Sequence, residues 1–252
     1  NMFGAKEFLD TAAKMKSPVK PIVGCEVYVA KGHRTEKKGR EDQGSYHLIL
    51  LAKNMQGYHN LIKMVSYGWI EGFYYKPRID HELLEKYHEG IICSSACLGG
   101  EIPRAIMNGD IQRAEELALW YRSIFGDDYY LEVQRHKTEV PGADASTFEK
   151  QQRVNEVIFQ IADKYGIKVI ATNDVHFVNK EDGPAHDRLI CVSTNADYND
   201  PKRMRYTQQE YLKSTEEMIE IFSDHPEVIS NTLEIADKIE KIDLNSDPIL
   251  PI

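Results

Sequence analysis

The feature that most constrains this chain is a series of five short apolar segments, most of them separated by helical patterns. The segments are rich in isoleucine, valine, leucine or tyrosine and are Pro21–Ala30, Tyr46–Ala52, Gly90–Ser94, Tyr129–Gln134 and Ile167–Thr172. Runs of this length and composition predict β-strands. Apolar residues recur at helical spacing within 111–125 and within 154–162, and Ser146–Glu149 has the sequence of a capping box. The alternation predicts an α/β fold with a parallel sheet, whose ligands collect at the carboxyl ends of the strands.

The composition limits the possible classes of protein. The chain has 252 residues, 42% of them hydrophobic, which is enough for one large domain or a domain with an appendage. A net charge of -9 argues against a protein that holds DNA with its whole surface, but it leaves room for a local basic patch. The same charge fits a pocket of carboxylates that needs cations. No membrane span and no signal peptide are evident in the sequence.

Four cysteines bear on the redox state and on zinc. They are too few for a disulfide framework, so reduced thiols in a cytoplasmic protein are expected. Cys93 and Cys97 have the spacing of half a zinc knuckle, but no second pair completes it.

The segments between the apolar runs predict loops and a change of character near residue 206. Lys31–Ser45 is charged and without periodicity, which predicts an exposed, mobile loop. Lys137–Ala145 and Ser193–Arg205 are predicted as two further loops. We expect residues 1–205 to form the main domain and residues 206–252 to form an appended helical segment.

The predicted tail contains helical patterns but no strand. Ser214–Glu217 has a second capping-box sequence, and Pro226 opens another helical pattern. Asp247–Pro251 is expected to be extended.

A candidate metal site begins with Asp174 and His176, which follow the fifth apolar segment. An Asp offers a hard oxygen and a His a borderline nitrogen, a combination that suits Zn or Mn. An Asp-x-His in a loop is more often a solvated turn, so the pair by itself is weak evidence. It gains weight because other ligand-type residues occupy similar places near strand ends: Glu26, His47, Cys97, Glu132 and His136.

Each of these residues also has an ordinary structural explanation. Glu26 is either a buried carboxylate that needs a metal or a strand residue that faces solvent. His47 is more often a satisfied core or edge residue, and Cys97 a buried structural thiol. Glu132 and His136 are candidates for groups that support the ligands from behind, or for surface groups.

Seven motifs resemble the N-terminal PHP (polymerase and histidinol phosphatase) domain of the bacterial replicative DNA polymerase III alpha subunits, the family C polymerases. In order along the chain they are Asn1–Gly4, Gly24–Val29, Tyr46–Asn54, Gly72–Asp80, Ser95–Pro103, Tyr130–His136 and Ala171–Phe177. The resemblance covers essentially the whole sequence. It implies a distorted (β/α)7 barrel, and the stretch from Tyr211 to Ala236 resembles the connection that leads into the polymerase palm.

Two motifs of that family are absent. In the family, two earlier strands carry a His-x-His motif and a Thr-Asp-His-Gly motif, and the second directly precedes the equivalent of Asn1. The resemblance therefore implies a fragment of a larger protein that lacks the first two barrel strands and the metal ligands on them.

The resemblance also implies a set of functional residues. The family's metal ligands fall on Glu26, His47, Cys97, Asp174 and His176, and Asp174 and His176 are the catalytic candidates. A complete site of this type holds up to three divalent ions, Zn or Mn, and we expect incomplete occupancy in this chain. The associated activity is 3′–5′ exonuclease proofreading.

Alternative functions follow from the same family. In some members the domain has lost ligands and serves as a scaffold that docks a separate proofreading subunit. A free-standing phosphatase is disfavoured, because Gly72–Asp80, Ser95–Pro103 and the helical tail match the polymerase form. Expected partners are DNA through the full polymerase, the palm domain of the same chain, a proofreading exonuclease subunit and other replisome subunits, in the bacterial cytoplasm and without a membrane.

Overall fold

The computed structural model describes residues 1–16 and 19–245 and divides into two compact units. Unit 1 comprises Asn1–Ser95, Trp120–Tyr129 and Leu233–Ile252, and unit 2 comprises Ala96–Leu119 and Tyr130–Thr232. The described residues form a mixed α/β structure with six strands and ten α-helices. The extended segment predicted at Asp247–Pro251 lies outside the described residues.

Four strands lie in unit 1, in the order β3-β1-β2-β4. They are β1 (Gly24–Ala30), β2 (Ser45–Ala52), β3 (Arg78–Ile79) and β4 (Ile91–Ser94). β1 and β3 are parallel, but β2 is antiparallel to both β1 and β4. The predicted parallel sheet is therefore wrong here. The connection from β1 to β2 contains only a four-residue helix, α2 (Arg40–Gln43), whereas a parallel pair needs a long crossover that packs on the sheet.

A parallel strand pair forms where a long helix does lie between the strands. β5 (Tyr129–Val133) and β6 (Val169–Ala171) are parallel, with Leu131 opposite Val169. The 20-residue helix α7 (Ser146–Tyr165) connects them. The predicted βαβ pattern is confirmed in this part of the chain.

The remaining helices have the following bounds. They are α1 (Ala5–Lys14), α3 (Met55–Ile70), α4 (His81–Tyr87), α5 (Glu101–Met107), α6 (Ile111–Phe125), α8 (Gly183–Thr194), α9 (Thr215–Ile221) and α10 (Glu227–Lys238). Within residues 1–16 and 19–245, every helix is too short or too polar to cross a membrane.

The loop predicted at Lys31–Ser45 is anchored in unit 1. Arg34 is buried at 8% exposure, and its guanidinium pairs with Asp80 and Glu71. The fully buried Arg78 guanidinium donates hydrogen bonds to the carbonyls of Arg34 and Glu36. The prediction of an exposed loop is therefore wrong at Arg34, because Arg34 on the loop and Arg78 on β3 bind this part of the loop to the unit.

One of the two predicted capping boxes is wrong and one is confirmed. The Ser146 hydroxyl donates to Asp144 Oδ1 at 2.6 Å and does not cap α7. Ser214 Oγ accepts from the Glu217 backbone N–H at 3.2 Å, and Glu217 Oε2 accepts from the Ser214 N–H at 2.8 Å. The helix begins one residue earlier than predicted, with Ala145 at the N-cap position, so Ser146 lies inside the helix and its hydroxyl bonds to Asp144.

Candidate metal centre

Glu26 and His47 form a close pair on one face of the strands in unit 1. Alternation along β1 and β2 buries Cys25, Val27, Leu48 and Leu50, which turns Glu26 and His47 to the opposite, less buried face. In the antiparallel register His47 lies opposite Tyr28, so Glu26 is its diagonal neighbour. His47 Nδ1 lies 2.6 Å from Glu26 Oε1, with the two side chains 31% and 40% exposed. Glu26 is therefore not a buried carboxylate, and both groups can turn toward a cation at this face.

Cys97 lies in unit 2, in the turn that precedes α5. Ala96 has a left-handed φ of 61°, which is uncommon for a residue with a Cβ and bends the chain sharply at this point. The Gly99 N–H points at Cys97 Sγ at 3.4 Å, and the Gly100 N–H bonds to the Cys97 carbonyl at 2.8 Å. Cys97 also lines a small cavity together with Glu132. The turn thus presents a partly buried sulfur, a soft donor of the kind that zinc binds.

Asp174 and His176 form a second carboxylate–imidazole pair, in unit 2 just after β6. Asp174 Oδ1 lies 3.9 Å from His176 Nδ1, and the side chains are 26% and 27% exposed. The other ring nitrogen of His176, Nε2, lies 3.2 Å from the Tyr206 hydroxyl. Asp174 has a φ of 44°, in the left-handed region. The loop therefore brings both candidate ligands within 3.9 Å of each other at an unusual backbone turn.

The imidazole of His186 lies beside this second pair. Its ring centroid is 5.6 Å from that of His176 and 5.1 Å from that of Tyr206. Burial and the neighbouring His176 lower the pKa of His186, which favours the neutral ring.

Glu132 and His136 lie behind the loop that carries Asp174. The buried Glu132 carboxylate accepts hydrogen bonds from Thr172 Oγ1 and Gln134 Nε2. His136 Nε2 donates to the Asn173 carbonyl at 3.1 Å, and burial lowers the pKa of His136. Glu132 and His136 thus bond to the two residues that directly precede Asp174, and their role in supporting the ligands stays a prediction.

A further group of metal-binding types occurs elsewhere in unit 1. Donor atoms of His33, Asp80 and Glu82 all lie within 4.8 Å of one another. The Arg34 guanidinium already contacts both carboxylates, at 3.0 Å from Asp80 and 3.3 Å from Glu82. A fixed positive charge in this position opposes a metal cation, so the group is an ion-pair network.

Comparison with known proteins gives the family. A family model described as PHP domain matches residues 1–136, more than half of the 252 residues. The chain belongs to the PHP domain family. PHP domains bind divalent metals in general, and the described residues include groups that could hold one.

Curated relatives of this PHP domain carry the name DNA polymerase III subunit alpha. That of Borreliella burgdorferi is 45% identical over 255 residues and covers 100% of the chain, which corresponds to 21% of the relative. That of Treponema pallidum is 40% identical with the same coverage, and that of Thermus aquaticus is 41% identical over 94% of the chain and 19% of the relative. The chain spans about a fifth of the length of these relatives.

The five predicted ligands of the PHP domain are thus two carboxylate–imidazole pairs, Glu26–His47 and Asp174–His176, and the thiol of Cys97. Each pair offers one carboxylate oxygen and one imidazole nitrogen, which suits Zn or Mn, and Cys97 adds sulfur. The meeting of both pairs and Cys97 at one point stays a prediction. Sequence analysis missed Tyr206, which it placed at the start of the tail, because 30 residues separate Tyr206 from His176 and no spacing rule connects them.

Proposed function

We propose that this PHP domain is the N-terminal domain of a bacterial DNA polymerase III alpha subunit and contributes metal-dependent 3′–5′ exonuclease proofreading to DNA replication. The observation that carries the proposal is the Asp174–His176 pair, which follows β6. Buried polar groups form hydrogen bonds to the residues that directly precede this pair. The names of the relatives support the assignment of the parent protein. Membership of the PHP family supports the assignment of a phosphoesterase site.

We assign the metal ligands to Glu26, His47, Cys97, Asp174 and His176, with Zn or Mn as the ions. The donor set fits, since it mixes carboxylate oxygen, imidazole nitrogen and thiolate sulfur. When bound, the ions supply an activated water and neutralise charge on a phosphodiester. Asp174 and His176 act as catalytic residues by orienting the scissile phosphate, and Glu132 and His136 keep their loop in place.

The number of ions is a separate part of the proposal. Five donors divided among three ions provide fewer than two donors for each ion. We therefore expect the chain to hold fewer than three ions per molecule, because a poorly coordinated ion is lost to water. Metal analysis of the purified chain beside the full-length subunit tests this, and three ions per chain would contradict it.

The partners follow from the parent protein. DNA reaches this domain through the full polymerase, and residues 206–252 lead toward the palm domain of the same chain. A proofreading exonuclease subunit and other replisome subunits are the remaining partners, in the bacterial cytoplasm. Polymerisation itself belongs to the palm.

A scaffold without catalysis is the second candidate function. The close bond between His47 Nδ1 and Glu26 Oε1 favours it, because each group then satisfies the other without a metal. Such a domain stabilises the polymerase and docks a separate proofreading subunit.

The deciding experiment replaces Asp174 by Asn in the full-length subunit. Asp174→Asn removes a negative ligand but keeps the shape, and Asn also tolerates the left-handed backbone. We expect loss of exonuclease activity with polymerisation retained. Asp163→Asn, the same change at an exposed position of α7, is the control and should leave both activities intact. Loss of both activities in a folded Asp174→Asn protein would favour the scaffold.

A further inference from the structure

The backbone at Asp174 is in a conformation that a non-glycine residue adopts only when its surroundings impose it. Its φ of 44° lies in the left-handed region, which is unfavourable for residues that carry a Cβ. Asp is more tolerant than most residues there, yet the conformation still needs support from its neighbours. That support comes from residues 206–213, here named the clasp segment.

The residue before Asp174 is fixed to the clasp segment through its side chain. Asn173 is only 8% exposed, and its Nδ2 donates to the carbonyls of Gln209 at 2.9 Å and Tyr211 at 2.7 Å. Its Oδ1 accepts from Lys213 Nζ at 3.2 Å. Both N–H groups and the oxygen of the Asn173 side-chain amide are thus hydrogen-bonded, to three residues of the clasp segment.

The residues after Asp174 are fixed to the same segment through the backbone. The N–H groups of His176 and Phe177 both point at the Glu210 carbonyl, at 2.8 and 3.4 Å. Asp174 therefore lies between two anchored points, one on each side.

The clasp segment is itself held by a buried carboxylate. Glu210 is 2% exposed, and its Oε1 accepts from the Thr207 N–H at 3.1 Å and the Thr207 hydroxyl at 2.6 Å. These bonds close a tight turn that fixes the direction of the Glu210 carbonyl. A buried carboxylate oxygen is costly unless it is bonded in this way, so the two bonds to Oε1 specify the turn.

We propose that Asn173, Thr207 and Glu210 are positioning residues of the metal site, which hold Asp174 in its left-handed conformation and so set metal affinity. The part of this inference that concerns metal rests on the proposed function. None of the three residues touches the metal in this scheme. They act through Asp174 and His176, as groups behind metal ligands do in general.

Two pairs of variants in the full chain test the proposal. Asn173→Ala removes the anchor before Asp174, and Asn60→Ala is its control, since Asn60 is a buried asparagine of unit 1 that donates to the Glu89 carbonyl at 2.9 Å. Thr207→Val keeps the shape but loses the hydroxyl, whereas Thr207→Ser keeps the hydroxyl.

Binding of Mn²⁺ alone is measured by electron paramagnetic resonance, and amide exchange of residues 173–178 by mass spectrometry. We expect Asn173→Ala and Thr207→Val to weaken Mn²⁺ binding by about 10- to 100-fold, the usual effect of losing a group that orients a ligand. Exchange at His176 and Phe177 should accelerate in the same two variants. Asn60→Ala and Thr207→Ser should behave like the unmodified chain.

The outcomes separate this inference from the proposed function. Unchanged exchange in both Asn173→Ala and Thr207→Val overturns the inference, and so does faster exchange with unchanged Mn²⁺ affinity. If the unmodified chain binds no Mn²⁺, the proposed function fails, and amide exchange alone decides whether the clasp segment holds the loop. If Asn173→Ala does not fold, the two Thr207 variants decide.

Discussion

The buried ion pair between Arg34 and Asp80 gives the sharpest prediction for stability. Asp80 accepts hydrogen bonds from Arg34 Nη1 at 3.0 Å and from the Arg34 backbone N–H at 2.9 Å. It also caps α4 by accepting from the Leu83 N–H at 3.2 Å. The side chains of Arg34 and Asp80 are 10% and 4% exposed, so neither group can regain water without movement of the loop.

Asp80→Ala removes these contacts at once. Breaking a buried pair costs about 3–5 kcal/mol because it leaves the other charge uncompensated. Arg34 still has its ion pair with Glu71, at 2.7 Å. We therefore expect a loss of unfolding free energy in the lower part of that range, at about 3 kcal/mol. Burial acts to lower the pKa of Arg34, but the bonds to Glu71 and Asp80 outweigh it and raise the pKa, so Arg34 is charged in the unmodified chain.

Two matched variants separate the contributions. Asp80→Asn keeps an N-cap of similar quality and loses the charge, so it should fall between the wild type and Asp80→Ala. Glu82→Gln breaks a contact to the same arginine, but Glu82 is 59% exposed, so we expect a much smaller loss of stability than for Asp80→Ala.

Urea unfolding followed by tryptophan fluorescence is a suitable assay. Both tryptophans of the chain, Trp69 and Trp120, belong to unit 1, so the signal reports on the unit that contains Asp80. The reasoning is refuted if Asp80→Ala costs less than about 1 kcal/mol, the ceiling for exposed pairs, or no more than Glu82→Gln.

Three further predictions concern packing, pH and the tail. Gly57→Ala should lower the free energy of unfolding by roughly 1–3 kcal/mol or more, because the new Cβ would lie 1.7 Å from the Gly90 carbonyl oxygen. Gly39→Ala is the control, since its new Cβ would meet nothing within 4 Å. Equal urea midpoints for the two variants would contradict this prediction. Burial lowers the pKa of Lys213 to about 8 from its usual 10.5, so between these values the unfolded chain binds more protons than the native chain and stability rises with pH. Urea titrations from pH 8 to 10.5 should show this rise in the wild type and not in Lys213→Met. Hydrogen exchange in residues 218–222 and 228–239 should be slower in the intact subunit than in this chain. The reason is that Ile219 and Leu233, 50% and 66% exposed here, would be covered by the palm. Equal protection in both proteins would mean that the tail needs no palm.

The strand positions could be predicted from the sequence because they rest on short-range patterns. All five apolar segments contain a strand, since short runs rich in isoleucine, valine, leucine or tyrosine favour extended backbone wherever they lie. β3 was missed because Arg78–Ile79 is only two residues long and shows no alternation. Strand direction was wrong for β2 because it depends on how the chain returns after residues 31–44, where Arg34 and Arg78 anchor the loop.

For the candidate ligands, too, the sequence predicted the residues but not the contacts that hold them. The residue types and their motifs identified Glu26, His47, Cys97, Asp174 and His176 and, through resemblance, the PHP family. The supporting contacts were outside the reach of sequence analysis. Asn173 bonds to Gln209 and Tyr211, 36 and 38 residues further along the chain, and Tyr206 reaches His176 across 30 residues.

The sequence by itself determined those interactions whose partners are a few residues apart. The Ser214–Glu217 capping box formed as predicted because the two residues are three positions apart on one helical turn, where chain geometry alone brings them together. The tertiary structure decided the rest: the antiparallel β2, the buried Arg34–Asp80 pair and the clasp around Asp174. Each of these joins groups tens of residues apart, and such groups meet only once burial of apolar surface has set the path of the chain between them.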